Sequence, residues 1–168
     1  FEELKEKRYT KVQNRLEKIR NAQKAHREIN NEFAKSMDQL IAFVDTAQKP
    51  IVERKDSSFM YYNERYQQDM EKDTIITTIL GYEGVKASLF GENFDPESLR
   101  MIPFSDNKPF EMKAGKIEVN QVIVPVFEAK APNTAIFHDV LNKYDQYIDE
   151  DYALTIGSLT EPTLSGNW

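Results

Sequence analysis

The apolar residues near the N-terminus recur at spacings of three and four, as on one face of an α-helix. This stripe consists of Tyr9, Val12, Leu16, Ile19, Ala22, His26 and Ile29. Ala22 and Ala25 have little side-chain volume, so another element can approach the helix backbone closely. Asn30 and Asn31 then interrupt the pattern, because asparagine tolerates the left-handed conformation that ends helices. The pattern predicts a first helix with a narrow apolar face.

A second, shorter helix is predicted after this break. Ser36 and Gln39 form a capping box, and Pro50 is predicted to close the helix. The apolar positions of the helix are Met37, Leu40, Ile41 and Val44. Residues 1–48 would then form an N-terminal helical stem of helix, turn and helix. Residues 49–168 would form an α+β body within the same single domain.

The residues from 51 to 90 are rich in Ile, Val, Thr, Tyr and Phe, which favour strands. The aromatic segment FMYYNERY could be a platform for stacking a base or a sugar ring. A strand pair whose rings cover the core on one face is the commoner interpretation. Lys55, Asp56 and Ser57 are the predicted hairpin turn. The run from Thr74 to Leu80 is predicted to be a strand.

Local signals predict the elements that follow. Asp95 and Pro96 have the residue types of an N-cap and a first helical position, which indicates a single helical turn. Asn120 and Gln121 separate two short apolar runs and predict a tight turn. Pro125 cannot donate a hydrogen bond to a ladder, so its strand is predicted to lie at an edge or to carry a bulge.

A further C-terminal helix is predicted from Asn133 onward, with Asn133 as its cap. Its apolar positions are Ile136, Phe137, Val140, Leu141, Tyr144, Tyr147 and Ile148. The segment from Tyr152 to Ile156 is predicted to add a last strand, followed by a surface extension. Because the strands follow one another after short turns, the sheet should be mostly antiparallel. The predicted fold is α+β, with a long N-terminal helix and a short second helix packed on this sheet.

Composition excludes several kinds of site. A chain of 168 residues with 40% hydrophobic residues can bury a core without covalent cross-links. The chain has no cysteine, which excludes disulfides, thiolate zinc sites and cysteine nucleophiles. The phosphate-binding patterns G-x-x-x-x-G-K and G-x-G-x-x-G are absent from the sequence.

The charge is distributed unevenly along the chain. Nine of the 22 Lys and Arg residues and five of the 28 Asp and Glu residues fall in the first 28 positions, which leaves 13 basic and 23 acidic residues elsewhere. A basic helix ahead of an acidic body argues against a nucleic-acid partner, which needs a positive surface along the folded domain. It fits a helix close to an anionic membrane surface. Since the chain begins at Phe1 without Met, we expect a membrane segment upstream of Phe1.

The candidate chemical groups do not form a recognisable catalytic set. His26 and His138 lie on separate predicted helices without a partner motif, and His26 falls on the apolar stripe, where a packed histidine is the commoner case. The sequence predicts no catalytic residue and no cofactor, and hence a protein that is not an enzyme. An enzyme whose site is assembled from residues distant in sequence is an alternative.

A second alternative is a calcium-dependent binding domain. The densest oxygen cluster consists of Asp145, Asp149, Glu150 and Asp151. Calcium binds six to eight oxygens, so Asp145, Asp149 and Asp151 are the candidate metal ligands. The cluster lacks the spacing and the central glycine of an EF-hand loop. A solvated helix end followed by a polar turn is the competing interpretation.

The segment from Leu16 to Val44 resembles the start of the soluble domains of type IV pilins and type II secretion pseudopilins, which often read I-R-x-A-Q-x-A-Y. The matching residues are Ile19, Arg20, Ala22, Gln23 and Ala25, with Phe33, Ser36, Leu40 and Phe43 in the continuation. His26 stands where an aromatic residue is common, and Asn31 replaces a glycine. Phe1 is followed by charged residues, so it is not the N-terminus of a mature pilin.

The whole chain, including FEMKAGKIEV and GSLTEPTLSGNW, resembles an uncharacterised family of bacterial proteins with a short N-terminal membrane anchor. These resemblances imply a soluble domain of a single-span envelope protein on the periplasmic face of the inner membrane. The implied role is protein–protein interaction or self-assembly through the N-terminal helix, in the manner of a pilin. Membrane proximity would come from the segment upstream of Phe1.

Overall fold

The computed structural model describes all residues from 1 to 168 and has an α+β fold, as predicted. Its helices are α1 (Glu2–Asn30), α2 (Met37–Thr46), α3 (Val85–Leu89) and α4 (Asn133–Ile136). Its strands are β1 (Gln48–Asn63), β2 (Gln68–Gly84), β3 (Glu111–Val119), β4 (Val122–Pro132) and β5 (Ala153–Gly157). Two 3₁₀ turns cover Pro96–Leu99 and His138–Val140. None of the helices combines the length and apolar character that crossing a lipid bilayer requires.

All strand pairs are antiparallel, but they form two separate sheets. One sheet contains β3, β4 and β5 in that order, and the other contains only β1 and β2. The three-stranded sheet packs against α1, whereas the two-stranded sheet extends away from this core. The sequence pattern did not indicate that the strands divide into two sheets.

The core lies between α1, α2 and one face of the three-stranded sheet. The inward residues of β4 and β5 are fully or almost fully buried and comprise Phe127, Ala129, Ala131, Leu154 and Ile156. Ala129 and Ala131 are small, as is Ala22 on the facing side of α1, so the helix and the sheet can approach closely. Helix and sheet therefore share one continuous apolar core.

Helix α1 confirms the predicted stripe over most of its length. Val12, Leu16 and Ile19 have no exposed surface, whereas Ile29 at the C-terminal end is 38% exposed. The prediction that Ile29 lies on the buried face is therefore wrong. Ile29 lies in the last turn of the helix, which ends at Asn31 with a φ of 62°. The helix begins at Glu2, well before the first residue of the predicted stripe.

Helix α2 begins with the predicted cap and ends earlier than predicted. The Ser36 hydroxyl accepts a hydrogen bond from the backbone of Gln39, and the Gln39 side chain accepts one from the backbone of Lys35. The helix ends at Thr46, since the backbone at Ala47 is extended. Pro50 does not close it and lies within β1 instead.

The hairpin formed by β1 and β2 is longer than predicted. Lys55, Asp56 and Ser57 lie in the middle of β1, so the predicted turn is wrong. The chain reverses between Asn63 and Gln68. There the Asn63 side chain accepts hydrogen bonds from the backbone of the two residues Arg65 and Tyr66, which is a side-chain-stabilised turn.

The local signals between Asp95 and Pro125 are confirmed, with one exception. Asp95 accepts a hydrogen bond from the backbone of Glu97 at the start of the 3₁₀ turn. Asn120 and Gln121 have φ values of 50° and 67°, as in the tight turns that join hairpin strands. The strand that contains Pro125 is central and has no bulge, contrary to the prediction. Pro125 is tolerated because β5 pairs only with the part of β4 from Glu128 onward.

The predicted C-terminal helix is present only as α4 and the 3₁₀ turn that follows it. The carbonyl of Ile136 accepts a hydrogen bond from the Arg8 guanidinium at 2.9 Å, and the backbone of Val140 donates to Phe137 instead. The regular helix is interrupted at this point. Asn133 is the first helical residue and makes no cap; its side chain accepts from the Tyr9 hydroxyl and donates to the Asp149 carbonyl.

Candidate interaction surface

The hairpin of residues 48–84, which we call the arm, is the most unusual surface of the molecule. No residue of the arm is buried, and all ten residues from 71 to 80 are exposed. Twelve of the eighteen large apolar side chains that are exposed in the structure belong to the arm. They are Ile51, Val52, Phe59, Met60, Tyr61, Tyr62, Tyr66, Ile75, Ile76, Ile79, Leu80 and Tyr82.

The total surface area gives the scale of this exposure. The chain exposes 11006 Å² for a mass of 19.6 kDa. A compact monomer of this mass exposes about 8,600 Å². The difference, about 2,400 Å² on the same scaling, is consistent with a projecting arm. Clustered exposed apolar side chains mark contact sites, and the arm carries twelve of them, so it has the character of a contact surface.

The two faces of the arm differ in charge. Strand pairing places Arg54, Asp56, Asp69, Glu71 and Asp73 on one face, together with Val52, Met60, Tyr62, Ile75 and Ile79. The opposite face carries Glu53, Lys55 and Lys72, together with Phe59, Tyr61, Met70 and Ile76. Apolar side chains occur on both faces. The aromatic segment therefore does not cover the core on one face, and that prediction is wrong.

The two outer edges of the arm carry most of their charges in different halves of the hairpin. On β1, the segment from Lys49 to Asp56 carries five charged side chains and Pro50. On β2, the segment from Thr74 to Gly81 carries none. Neither outer edge is paired with another strand. Charges and proline on an edge hinder pairing with other chains. The β1 edge is therefore protected near the body, and the β2 edge is protected from Asp69 to Asp73, where the paired part of β1 carries no charge.

A β-bulge lies where the arm leaves the body. Val52 is opposite Ile79 and Ile51 is opposite Gly81, so Leu80 is an additional residue on β2. Bulges bend a strand and increase its twist. The base of the arm is held by a hydrogen bond from the backbone of Val85 to the carbonyl of Ala47. The direction of the arm is therefore set locally, next to α2 and α3.

The two histidines have different surroundings and do not form a common site. His26 is buried, with Nδ1 2.6 Å from the carbonyl oxygen of Glu32 and its ring 4.8 Å from that of Phe43. The prediction of a packed histidine is confirmed. His138 is exposed, and its Nδ1 lies 3.4 Å from Nζ of Lys108.

The acidic residues proposed as calcium ligands are all exposed. The Asp149 carboxylate accepts a hydrogen bond from the backbone of Asp151 within a local turn, and Asp145 lies earlier on the same surface segment. The structure contains no group of three or more His, Cys, Asp or Glu side chains placed to hold a metal ion. The geometry thus gives Asp145, Asp149 and Asp151 no common coordination point.

A cleft in the body has a volume of about 260 Å³ and lies beside the N-terminal part of α1. Tyr9 lines this cleft, and the Tyr9 hydroxyl donates to Asn133 at 2.7 Å. Burial raises the pKa of Tyr9 above its ordinary value, so the phenol is neutral at pH 7. A neutral hydroxyl engaged with an amide has the role of a structural link between α1 and α4.

Several basic residues of α1 have a role inside the fold that the sequence pattern did not reveal. Arg8 forms a bidentate pair with Asp139, and Arg15 donates to the carbonyl of Met101. Lys11 and Lys18 lie over aromatic rings, at 5.4 and 5.6 Å from the ring centres of Phe104 and Phe94. The basic residues of α1 therefore make contacts within the fold, in addition to any contact with a membrane.

The pair of Arg8 and Asp139 makes part of the stability depend on pH. Hydrogen bonds from Arg8 hold the pKa of Asp139 below its ordinary value. A carboxylate with a lowered pKa in the folded state stabilises the fold above its unfolded pKa of about 3.9. That contribution is lost as the pH falls through the folded value. The difference in unfolding free energy between the unmodified chain and D139N should therefore narrow below about pH 4, and a difference that is constant from pH 7 to pH 3 would contradict this assignment.

Comparisons of the chain with protein-family models, with characterised proteins and with solved structures find no match. The resemblance to pilins therefore still depends on the residues of α1 and α2 that suggested it. The arm is the feature of the molecular surface that bears most directly on function.

Proposed function

We propose that this chain is a non-enzymatic interaction domain of a single-span bacterial envelope protein, and that the arm is its main contact surface. The observation that carries the proposal is the exposure of twelve large apolar side chains on a hairpin in which nothing is buried. Exposed apolar surface of this kind is energetically unfavourable until another surface covers it.

The size of the arm is sufficient for a stable complex. A standard protein–protein interface buries about 800 Å² on each partner. The surface that the chain exposes beyond that of a compact monomer, about 2,400 Å² by the same mass scaling, is larger than this. Aromatic and methionine side chains are enriched in interfaces, and the arm carries both at Phe59, Met60 and Tyr62. Area and composition both favour a contact surface.

The apolar stripe of α1 belongs to the core, where Val12, Leu16 and Ile19 are buried. The outward face of α1 is mainly polar and charged. Assembly through α1, in the manner of a pilin, stays a prediction. In such an assembly the polar outward face of α1 would have to form the contact. The apolar arm fits a protein partner better, because interface cores are depleted in charge.

The envelope location rests on the basic helix and on the resemblance to anchored bacterial proteins. Lys and Arg close to a membrane are attracted by anionic lipids. Lys7 and Lys24 are exposed on α1 and are free to contribute in this way. A segment upstream of Phe1 would provide the anchor on the periplasmic face of the inner membrane.

Site-specific photo-crosslinking in the full-length natural protein tests this proposal. A photo-reactive phenylalanine analogue replaces Tyr62 of the arm, and the same analogue replaces Tyr147 of the body as the matched control. These two tyrosines are 60% and 66% exposed. We expect a discrete adduct from position 62, in the membrane fraction, and none from position 147. Recovery of the protein wholly in the soluble cytoplasmic fraction, or no adduct from the arm, would contradict the proposal.

A further inference from the structure

Residues 158–168, which we call the tail, follow β5 and turn back along its outer edge. None of them is buried, and only Gly166 forms a β-bridge, with Ile156. We propose that the tail is a displaceable strap over a binding site for an extended segment of a partner protein. Such a segment would pair with β5 and extend the three-stranded sheet. This surface belongs to the body and is separate from the arm.

Four hydrogen bonds join the tail to β5. The backbone of Gly157 donates to the carbonyl of Ser165 at 3.0 Å, and the backbone of Asn167 donates to the carbonyl of Thr155 at 3.1 Å. The Asn167 side chain provides the other two. Its Oδ1 accepts from the backbone of Thr155 at 3.0 Å, and its Nδ2 donates to the Ala153 carbonyl at 2.8 Å. The tail thus occupies the groups of β5 that an additional strand would use.

The tail is an imperfect strand. In a hydrogen-bonded pair of antiparallel residues, each backbone both donates to and accepts from the other. The backbone of Asn167 only donates to Thr155, and its side chain accepts in place of the backbone. A segment that stays extended at this point can make backbone hydrogen bonds along the whole of β5. Addition of an extended peptide to a sheet edge is a common mode of recognition, and here the segment would replace the tail.

The composition of β5 makes its edge suitable for pairing. Ala153–Gly157 contain no charged residue and no proline, which usually protect an edge strand. The strand at the opposite edge of this sheet, β3, carries four charged residues, which are Glu111, Lys113, Lys116 and Glu118. The tail gives β5 the protection that its own side chains lack. Release of the tail therefore leaves N–H and C=O groups ready to pair with another strand.

The contacts of the tail with the body are few enough for displacement. Leu164 is the one tail residue that packs against the apolar core, and it is only half-buried. The ring of Trp168 packs on Gly166 of the tail itself and is 47% exposed. Segments with few buried contacts and exposed hydrogen bonds open locally, at a lower free energy than the whole fold. The tail has both properties.

The fluorescence anisotropy of Trp168 tests this inference in the full chain, because Trp168 is its only tryptophan. The probe is a synthetic peptide with the sequence of residues 158–168 in which phenylalanine replaces the tryptophan. A peptide that takes the edge releases the tail, so the anisotropy of Trp168 falls. A tethered segment competes at an effective concentration of about 1 mM. The unmodified chain should therefore release its tail only at peptide concentrations of this order.

Asn167→Ala removes two of the four hydrogen bonds that join the tail to β5. We expect half-release of the tail of N167A at about tenfold lower peptide concentration than for the unmodified chain. Glu161→Ala is the matched control, since Glu161 is an exposed tail residue whose side chain makes no hydrogen bond or ion pair. E161A should match the unmodified chain, and a scrambled peptide should release neither tail. Equal release from N167A and E161A, or none from N167A at ~10 mM peptide, would overturn the proposal.

Amide hydrogen exchange provides a second readout that needs no peptide. The amides of Thr155 and Gly157 donate to the tail, whereas the alternate residues Leu154 and Ile156 face β4. We expect the first pair to exchange at least about tenfold faster than the second, and N167A to accelerate only the first pair. Equal exchange of all four amides would overturn the proposal, because the tail would then open only with the whole fold. Loss of the folded circular dichroism spectrum in N167A would do the same.

Discussion

Replacing Phe127 with alanine is expected to lower the free energy of unfolding of the body by about 3–5 kcal/mol, the usual cost of removing a buried aromatic ring. Phe127 has no exposed surface and lies at the centre of the sheet, on β4. Its ring is 4.8 Å from that of Phe33, so the substitution leaves a cavity between the sheet and the segment after α1. Urea denaturation followed by circular dichroism measures the change.

Phe59→Ala is the matched control for this prediction. Phe59 is on the arm and is 47% exposed. Its removal should change the stability of the body by no more than about 0.5 kcal/mol, as for an exposed position. Equal losses for F127A and F59A would mean that the arm is packed against the body in solution, contrary to the structure.

Arg8→Ala is expected to lower the free energy of unfolding by about 2–3 kcal/mol, chiefly because the buried carbonyl of Ile136 loses its donor. The guanidinium also donates two hydrogen bonds to Asp139, at 2.6 and 3.0 Å, and lies 4.9 Å from the ring centre of Phe104. The Asp139 side chain is 57% exposed, so water can solvate it when Arg8 is absent. Urea denaturation of both chains measures the difference.

The matched control for Arg8 is Lys7→Ala, at an exposed neighbouring position of the same helix. This variant should stay within about 0.5 kcal/mol of the unmodified chain. Similar losses for R8A and K7A would mean that the effect comes from the net charge of α1. The hydrogen bond to Ile136 would then not be its cause.

Local signals in the sequence predicted the elements that depend on neighbouring residues. The Ser36 side chain caps α2 by accepting from the backbone of Gln39, and the Asp95 side chain caps the 3₁₀ turn that follows it. The tight turn consists of Asn120 and Gln121 themselves. The α+β class followed from the spacing of apolar residues along α1 and the strands. These features need no information about distant parts of the chain.

Other features depend on contacts between distant residues, which the pattern does not contain. The C-terminal helix is interrupted at Ile136, whose carbonyl accepts a hydrogen bond from Arg8, 128 positions earlier. The side chain of Gln23 binds the backbone of Ala34 with two hydrogen bonds, at 2.8 and 3.0 Å, so a polar residue occupies the buried face of α1. Neither contact has a signature in local spacing.

The exposure of the arm was not predicted, for a different reason. Alternating Ile, Thr and aromatic residues favour strands whether these strands pack against the same chain or against another one. The segment from Thr74 to Leu80 was correctly predicted as a strand, but its pattern does not state what lies beside it. Asn63 lies among aromatic residues, so the sequence pattern did not indicate a turn there. Composition thus predicted the strands, and only the structure revealed that they are uncovered.

Sedimentation velocity of a chain with a shortened arm tests most directly whether the arm is the contact surface. Residues 53–78 are removed and Val52 is joined to Ile79, its direct partner, through the two-residue turn Asn-Gly. Because no removed residue is buried, the body should keep its core and its compact shape. We expect the full chain, released from cells together with its partner, to sediment as a complex, and the shortened chain to sediment as a compact monomer. An expanded, unfolded species, or a complex that persists without the arm, would contradict this role of the arm.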